Sequence, residues 1–425
     1  MVQLREPAVL DAAPMHGPFA AVPRRPRILG IDVARGVALV GMMAAHSFPT
    51  LNGDGTPTVA TAVAAGRSAA TFVLLAGVGL ALLSGGRTVV QGRERTAVGA
   101  GLAVRAVLIG ALGLALGLLS QIKGITEDPI LPFYGLLFLL AIPLLGLSPL
   151  VLAGVAVAAI ALGPVLLVAT ADAGLPYAGF TGDPVPATAV QDPLGLLVRL
   201  FVTGEYPVVV YVAYLCAGLA IGRLDLTSRR VAWWLLGAGA ALAVTARVVS
   251  SIVLYPLGGL AELTSQVGSE AGSAAALLWE HPNLSSSWWY LAIPAPHSHT
   301  PVDVSHTLGS AMAVLGAALL LSRVPAITRL LRPLAVAGGM VLTLYSAHLV
   351  VIATGFLRDR PGLLYVVMVV GALVFAMLWK MRFAQGPLER IVAVAAGWVR
   401  GMTTRMLPER TSITGTSNDE IPPVR

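Results

Sequence analysis

Ten stretches of the chain are apolar for long enough to cross a membrane, and short polar segments separate them. A bilayer-spanning helix needs about 20 predominantly apolar residues. The stretches are 28–49, 60–84, 99–120, 129–147, 149–170, 206–224, 231–255, 303–322, 333–355 and 363–380. This pattern predicts an all-α polytopic membrane protein with about ten transmembrane helices, or eleven at most.

The segments that flank these stretches divide the chain into four parts. Residues 1–26 lack the profile of a cleavable signal peptide and are predicted to form a disordered cytosolic tail. Residues 27–384 are assigned to the transmembrane domain. Charges interrupt the apolar pattern of 385–407, which is typical of an amphipathic helix at the membrane surface. Residues 408–425 are predicted to form a second disordered cytosolic tail.

The charges between the apolar stretches predict the orientation of the protein. Alternate loops are rich in arginine, and positively charged loops usually face the cytosol. These arginines are Arg24, Arg25, Arg27, Arg87, Arg93, Arg95, Arg223, Arg229, Arg230, Arg323, Arg329 and Arg332. The two long loops near 171–205 and 256–302 carry mostly acidic residues and are predicted to face outward. Both termini are therefore expected in the cytosol, with the protein in the plasma membrane.

Composition agrees with this class and excludes others. Hydrophobic residues make up 56% of the chain and charged residues 12%, and the mean hydropathy is +0.81, which no water-soluble domain has. The formal charge of +7 lies in short clusters without aromatic platforms, so lipids and not nucleic acids are the expected surroundings. The single cysteine, Cys216, excludes an intramolecular disulfide. Glycine-rich helices are compatible with a homo-oligomer.

The first apolar helix carries polar side chains at both ends. Asp32 and Arg35 are three residues apart near its start, and His46 lies near its end, roughly 21 Å from Asp32 along a helix. One interpretation is an ion pair that lowers the cost of placing both charges in the headgroup region. The other is that Arg35, helped by Arg105, binds the phosphates of a nucleotide carrier, because a guanidinium makes bidentate phosphate contacts.

Two further polar residues, Arg67 and His348, lie within apolar stretches. A polar group at membrane depth is costly unless it has partners, so both are candidate functional residues. For His348, catalysis or binding competes with a role as a hydrogen-bonded contact between helices. For Arg67, structural pairing competes with substrate binding.

The segment from Trp289 to Asp303 brings aromatic, imidazole and carboxylate groups to the outer end of a helix. Asp303 and His306 are three residues apart and share a helical face, so they could line a polar pocket together with Trp289 and His297. His297, His299 and His306 could instead bind zinc, but their spacing follows no familiar helical metal pattern, and no metal is expected.

Two separated motifs resemble one family. The first motif is Asp32-x-x-Arg35-Gly36-x-Ala38-Leu39, and the second is Gly339-Met340 followed by Tyr345-Ser346-Ala347-His348. Together they resemble the opening signature and the late Tyr-x-x-His segment of the heparan-alpha-glucosaminide N-acetyltransferase family and its bacterial transmembrane acyltransferase relatives.

Four other stretches resemble a bacterial, mostly uncharacterised branch of this family: 66–86, 130–145, 204–226 and 296–301. Abundant Arg, Ala, Gly and Val with scarce Lys is the usage of a GC-rich genome, such as that of an actinobacterium. The chain also departs from the human-type pattern. The aromatic-rich stretch that carries the proposed histidine there is absent, so His46 is a positional stand-in, and Arg67-Ser68 replaces an acidic residue.

The resemblance implies transfer of an acetyl or other short acyl group from cytosolic acetyl-CoA or another acyl-CoA to an outer sugar amine or hydroxyl of an envelope glycan or glycolipid. His46 and His348 are then expected to be catalytic, and Asp32, Arg35 and Arg105 to bind the acyl-CoA. The acceptor is expected at the residues Arg67, Trp289, His297, Asp303, His306 and Tyr345. A transporter or flippase of an envelope precursor is the alternative, and a scaffold with replaceable histidines is a third possibility.

Overall fold

The structure is a computed structural model of the chain. It describes residues 28–121, 129–175, 184–267, 274–280 and 287–406. Throughout these ranges the regular structure is helical, and one isolated β-bridge pairs Leu51 with Pro57. The tails predicted at 1–26 and 408–425 lie outside the described residues.

Seventeen α-helices follow one another along the described residues. They are α1 (Leu29–Ser47), α2 (Val59–Val63), α3 (Arg67–Leu83), α4 (Gly92–Gly117), α5 (Leu131–Leu144), α6 (Pro149–Ala169), α7 (Pro186–Gln191), α8 (Pro193–Val198), α9 (Val208–Gly222), α10 (Arg229–Leu254), α11 (Gly259–Val267), α12 (Ala274–Trp279), α13 (Pro301–Leu321), α14 (Pro325–Gly338), α15 (Val341–Ala353), α16 (Pro361–Arg382) and α17 (Pro387–Met406). Short 3₁₀ helices cover Leu118–Gln121 and Trp288–Ala292, and a π-helical turn covers Arg199–Thr203.

Several of these helices are long and apolar enough to cross a membrane. Among the described residues seven qualify, and the number is nine if each of two bent helix pairs counts as one span. The seven are α1, α2 with α3, α4, α6, α10, α13 and α16. The chain is therefore a multi-pass membrane protein, whereas the count of ten and the compartment of each terminus stay predictions.

Three of the predicted stretches differ from the helices found. The stretch 129–147 contains only the 14 residues of α5, which would cover about 21 Å and fall short of the bilayer core. The stretch 206–224 becomes α9, which meets the preceding helical segment Pro193–Thr203 at 61°. The stretch 333–355 is not one helix, because α14 and α15 meet at 74°.

The bend between α14 and α15 follows from close packing of α14 on α1. A Cβ added to Gly338 would collide with the carbonyl oxygen of Asp32, and one added to Gly36 would collide with that of Leu334. The two helix backbones are thus in direct contact, as small residues allow inside membranes. Gly339 and Met340 then redirect the chain, so that α15 begins beside α1 at a new angle.

The arginine-rich loops share one end of the helix bundle. Arg223, which follows α9, donates hydrogen bonds to the carbonyls of Ala81, Gly86 and Leu145 at 3.1, 2.8 and 2.7 Å. Arg323 donates to the Thr227 carbonyl at 2.6 Å. The loops after α3, α5, α9 and α13 are therefore adjacent, which agrees with a common side for these arginines.

The C-terminal helix α17 packs along the first half of α4. Arg400 pairs with Glu94, and a Cβ added to Gly101 would lie 2.9 Å from the Ala396 carbonyl oxygen. The two helices are therefore antiparallel over this stretch. A helix is thus present within the segment 385–407 and packs against α4, whereas its predicted position at the membrane surface stays a prediction.

Candidate functional site

A cavity of about 380 Å³ lies among α1, α3, α4, α5, α14, α15 and α17. We call it the arginine cavity. Its lining comprises Arg35, Phe72, Ala76, Gly79, Leu80, Leu83, Arg105, Ile109, Ile130, Leu131, Tyr134, Phe138, Gly338, Gly339, Val341, Leu342, Tyr345, Gln385, Glu389, Val392 and Ala393. Mostly apolar walls with a few polar groups are typical of a small-molecule site, and the volume lies in the usual range.

Arg35 is held at the wall of the arginine cavity by its neighbours. Its Nη1 lies 3.3 Å from Asp32 Oδ1, and its Nη2 lies 3.4 Å from the carbonyl oxygen of Leu75. A Cβ on Gly79 would be 2.9 Å from Arg35 Nη2, so the glycine leaves room for the guanidinium. The ion pair of the first interpretation is therefore present, whereas phosphate binding by Arg35, which also lines the cavity, stays a prediction.

Arg105 reaches the same cavity from α4 and is half-buried. Within the described parts of the chain it makes no hydrogen bond or ion pair, and its strongest charged neighbour is the like-charged Arg35. The charged side chains at the cavity are Arg35 and Arg105 together with Glu389, and Asp32 pairs with Arg35. The two guanidinium groups can bind an anionic group in bidentate fashion.

Tyr345 of α15 lines the arginine cavity. Its hydroxyl oxygen accepts a hydrogen bond from the Ile130 amide at 3.1 Å, which ties α15 to the start of α5. One helical turn further on, the ring centre of the buried His348 lies 5.1 Å from that of Tyr345. A side chain that lines the cavity is therefore in ring contact with a buried imidazole.

His46 and His348, which we call the histidine pair, are in direct contact. His46 Nδ1 lies 3.1 Å from His348 Nε2 although the residues are 302 positions apart, and the ring centres are 5.3 Å apart. One nitrogen must donate and the other accept, so at least one of the imidazoles is neutral. His46 is half-buried, and its Nε2 has no hydrogen-bond partner among the described residues, which leaves this nitrogen available to a substrate.

Glu389 of α17 sets the start of the helix that carries Tyr345 and His348. Its carboxylate accepts hydrogen bonds from the Thr343 amide at 3.0 Å and the Thr343 hydroxyl at 2.6 Å. A carboxylate at the first turn of a helix satisfies a free amide and interacts favourably with the helix dipole. Glu389 was not among the predicted site residues, because the contact joins segments 46 residues apart.

A second polar group of residues, the loop cluster, comprises Arg67, Glu205, His297, His299, Asp303 and His306. Arg67 donates to His306 Nε2 through Nη2 at 2.8 Å and Nε at 3.1 Å. His306 Nδ1 in turn donates to the Ala243 carbonyl at 2.9 Å. His306 is therefore a neutral imidazole with both nitrogens occupied, and Arg67 is a paired cation.

The segment that carries His297 and His299 has an unusual backbone. Their φ angles are +61° and +56°, a region that non-glycine side chains rarely adopt and that is frequent at functional sites. Asp303 Oδ2 accepts from the His299 amide at 3.3 Å, and Thr300 Oγ1 donates to the Ile293 carbonyl at 2.7 Å. These contacts hold the segment in place, and His297 Nδ1 lies 3.3 Å from Glu205 Oε1.

Aromatic side chains surround the two histidines of this segment. The ring of Tyr206 lies 5.5 Å from that of His297, and the ring of Tyr211 lies 5.9 Å from that of His299. Tyr214 is hydrogen-bonded to Thr307 at 2.7 Å. These tyrosines were not among the predicted site residues. Tyr211 and Tyr214 share a helical face by their i, i+3 spacing, which is a signal that could have identified them.

The first turn of α5 links the loop cluster to the arginine cavity. Ile130, just before α5, is bonded to Tyr345, and the Phe133 ring lies 5.4 Å from that of Tyr206. Tyr206 then contacts His297. The predicted site residues are thus joined by a continuous set of contacts, whereas Trp289 packs beside Gly259 with a separate apolar cluster.

The zinc alternative finds no geometric support in this arrangement. His306 is bonded to Arg67, and the ring centres of His297 and His299 are 6.3 Å apart. In the described ranges, no three His, Cys, Asp or Glu side chains are close enough to hold a metal ion.

Comparison with known families supports the resemblance drawn from the two motifs. The family described as heparan-alpha-glucosaminide N-acetyltransferase, catalytic, matches residues 27–255, which is more than half of the chain. The match includes Arg35, His46, Arg67 and Arg105 and ends before the segment that carries His348. No curated protein matches the chain. The chain therefore belongs to the heparan-alpha-glucosaminide N-acetyltransferase catalytic family, whose members are membrane-embedded N-acetyltransferases.

Proposed function

We propose that this protein transfers an acetyl group, or another short acyl group, from cytosolic acyl-CoA to a sugar amine or hydroxyl of an extracytoplasmic envelope glycan or glycolipid. One observation supports this most strongly. Tyr345 lines the arginine cavity, and its ring contacts that of His348 in the histidine pair. A carrier bound at the arginines can therefore extend its reactive end toward an imidazole.

The acyl-CoA enters the arginine cavity from the end of the bundle that carries the arginine-rich loops. Arg35 and Arg105 bind its phosphates, and the apolar walls accept the pantetheine arm. Asp32 orients Arg35 through the 3.3 Å ion pair. Because the cavity of about 380 Å³ is smaller than a whole coenzyme A molecule, the nucleotide lies at its mouth.

The histidine pair acts on the acceptor. His46 Nε2 removes the proton from the acceptor amine or hydroxyl while the lone pair of the acceptor nitrogen or oxygen attacks the thioester carbonyl. His348 holds the His46 ring through the 3.1 Å contact. The carbon–sulfur bond breaks, and the thiolate takes up the proton. The products are the acylated acceptor and free thiol. A positioned base of this kind contributes about 10² to 10⁴ in rate.

The loop cluster is proposed to bind the acceptor. Tyr206 and Tyr211 offer ring faces and edges to the apolar side of a sugar, and His297 and Asp303 offer polar contacts to its hydroxyls. Arg67 and His306 are already bonded to each other, so they hold the site in shape. Membrane lipids surround the helices outside these sites.

A direct test of this function follows the acyl group and the thiol together. Purified protein is incubated with radiolabelled acetyl-CoA and a panel of amino sugars and envelope glycans. We expect label in one acceptor class and one free thiol per acetyl group transferred. A burst of thiol without acceptor would identify an acyl-imidazole intermediate. Absence of thiol release with every acceptor would contradict the proposal.

The transporter alternative has one observation in its favour, namely the two bent helix pairs. Discontinuous helices often form substrate sites near the bilayer midplane in transporters. The bends of 61° and 74° resemble such breaks. A flippase would move a labelled envelope precursor across proteoliposomes without any acyl donor, and an acyltransferase would not.

A further inference from the structure

A second, smaller cavity adjoins the arginine cavity and has no role in the proposed transfer. Its volume is about 120 Å³, and we call it the side cavity. It is lined by Leu83, Val98, Gly101, Leu102, Arg105, Ala393, Ala396, Gly397 and Arg400. Leu83, Arg105 and Ala393 line both cavities. The two cavities are therefore neighbours that meet at these three side chains.

The charged groups that line the side cavity are both cations. Arg105 is half-buried and has no hydrogen-bonding or ionic partner in the described parts of the chain. Arg400 Nη2 lies 3.3 Å from Glu94 Oε1, but the Glu94 side chain is 59% exposed. An exposed ion pair of this kind is weak and is readily exchanged for a better partner. The two guanidinium groups therefore have unused capacity for an anion.

Close packing of α4 and α17 fixes the walls of the side cavity. A Cβ on Gly101 would lie 2.9 Å from the Ala396 carbonyl oxygen, so the two backbones are in contact there. No atom lies within 4 Å of a Cβ added to Gly397, so this wall is open. The result is a small recess between the two helices, and both Arg105 and Arg400 line it.

We propose that the side cavity binds a phosphate monoester of the acyl donor, apart from the phosphates held at Arg35. This inference rests on the proposed function. Coenzyme A carries a diphosphate on its main chain and a separate 3′-phosphate on its ribose. With the diphosphate at Arg35 and Arg105, the 3′-phosphate lies between Arg105 and Arg400 and replaces Glu94 as the partner of Arg400. The donor is then a complete coenzyme A thioester and not a shorter pantetheine thioester.

The subsite depends on α17, which lies beyond the residues that match the family. The group that the subsite is proposed to bind is a phosphate monoester, and the headgroup of an anionic lipid could also supply one. The experiment therefore compares two nucleotides and adds a lipid as a separate arm.

Calorimetric titration of the purified full-length protein in an uncharged maltoside detergent tests the subsite. The probes are coenzyme A and 3′-dephospho-coenzyme A. We expect the wild type to bind coenzyme A about tenfold more tightly, the difference typical of one charge-assisted hydrogen-bonded contact. Arg400→Ala should reduce this preference to about twofold. Arg400→Lys, which keeps the charge but lacks the bidentate guanidinium group, should give an intermediate preference. Arg390→Ala on the exposed side of α17 is the matched control and should keep the full preference.

The possible results separate this inference from the function on which it rests. If the wild type binds neither nucleotide, the proposed function fails. If it binds both equally, or if Arg400→Ala weakens both to the same extent, the function stands and the subsite is wrong. A short-chain phosphatidate that abolishes the preference in the wild type would assign the side cavity to a lipid headgroup and would also overturn the inference.

Discussion

Arg67 and Arg105 are both half-buried arginines of the helix bundle, but their surroundings differ. Arg67, in the loop cluster, donates two hydrogen bonds to His306 and another to the Ala65 carbonyl at 3.2 Å. Arg105, in the arginine cavity, has a like-charged neighbour and no partner among the described residues. A buried cation is costly unless it is paired. Arg67 meets this requirement within the protein, whereas we propose that Arg105 meets it through a bound anion.

The presence or absence of partners within the protein distinguishes structural from ligand-binding polar side chains better than residue type does. A satisfied arginine contributes to stability, and its loss should reduce stability more than ligand affinity. An unsatisfied arginine contributes to ligand affinity, and its loss should reduce affinity more than stability. The histidine pair combines both, because His46 Nδ1 and His348 Nε2 are bonded to each other, whereas His46 Nε2 and the buried His348 Nδ1 have no hydrogen-bond partner among the described residues.

The largest effect is expected from loss of the available imidazole nitrogen. His46→Ala should lower the rate of acyl transfer by about 10² to 10⁴ because the general base is lost. Donor affinity should stay within about twofold, since His46 does not line the arginine cavity. Single-turnover acyl transfer and equilibrium binding measure the two quantities. His16→Ala, in the segment 1–26 that is predicted to be a cytosolic tail, is the matched control. Full activity of His46→Ala would show that His46 is not the base.

Loss of Arg67, which is bonded to His306, should lower the stability of the folded protein. Arg67→Ala removes the donors to His306 Nε2, and the buried acceptors are left without partners, at a cost of about 2 to 4 kcal/mol in the free energy of unfolding. Thermal unfolding in detergent, compared with the exposed Arg390→Ala variant, checks this. Unchanged stability together with lost donor binding would reverse the roles assigned to the two arginines.

Loss of Arg105, which has no partner among the described residues, should weaken binding of the acyl donor. Arg105→Ala is expected to raise the KM for acetyl-CoA about tenfold, because a charge-assisted contact is lost. Thermal stability should stay the same or rise slightly, since a like charge beside Arg35 is removed. Steady-state kinetics and thermal unfolding of the same preparation give both results. A loss of stability equal to that of Arg67→Ala would show that Arg105 is a structural residue.

The smallest effect is expected at Glu389, which acts through α15. Glu389→Gln weakens the contact with the first turn of α15 and should cost about 0.5 to 1 kcal/mol of stability. Since Tyr345 and His348 lie on this helix, kcat should fall about two- to fivefold with little change in KM. Thr343→Val, which keeps the amide but removes the hydroxyl at 2.6 Å, should give a similar loss. An effect on KM alone would indicate that Glu389 contacts the donor.

The helical class and most helix positions could be predicted from the sequence because hydrophobic length alone determines them. The bends could not, since α14 and α15 form one apolar stretch and turn only where Gly338 meets the backbone of α1. The length of α5 was also overestimated. Apolar residues continue beyond its end at Leu144, so hydropathy does not mark where this helix stops.

The candidate site could likewise be predicted only in part from the sequence. Polar residues in apolar stretches identified Arg35, His46, Arg105 and His348 as candidates, because such placement is costly without a purpose. The contact between His46 and His348 spans 302 positions, and no local pattern reports it. Tyr206, Tyr211 and Glu389 were missed, because tyrosines at helix ends and an interfacial glutamate are ordinary in membrane proteins.

The central claim is that the arginine cavity is the donor site and that the loop cluster is not. Calorimetric titration of acetyl-CoA into the wild type, Arg105→Ala and Arg67→Ala tests it most directly. We predict micromolar binding by the wild type, affinity about tenfold weaker for Arg105→Ala, and affinity within about twofold of wild type for folded Arg67→Ala. No binding by the wild type, or equal loss in both variants, would contradict this account.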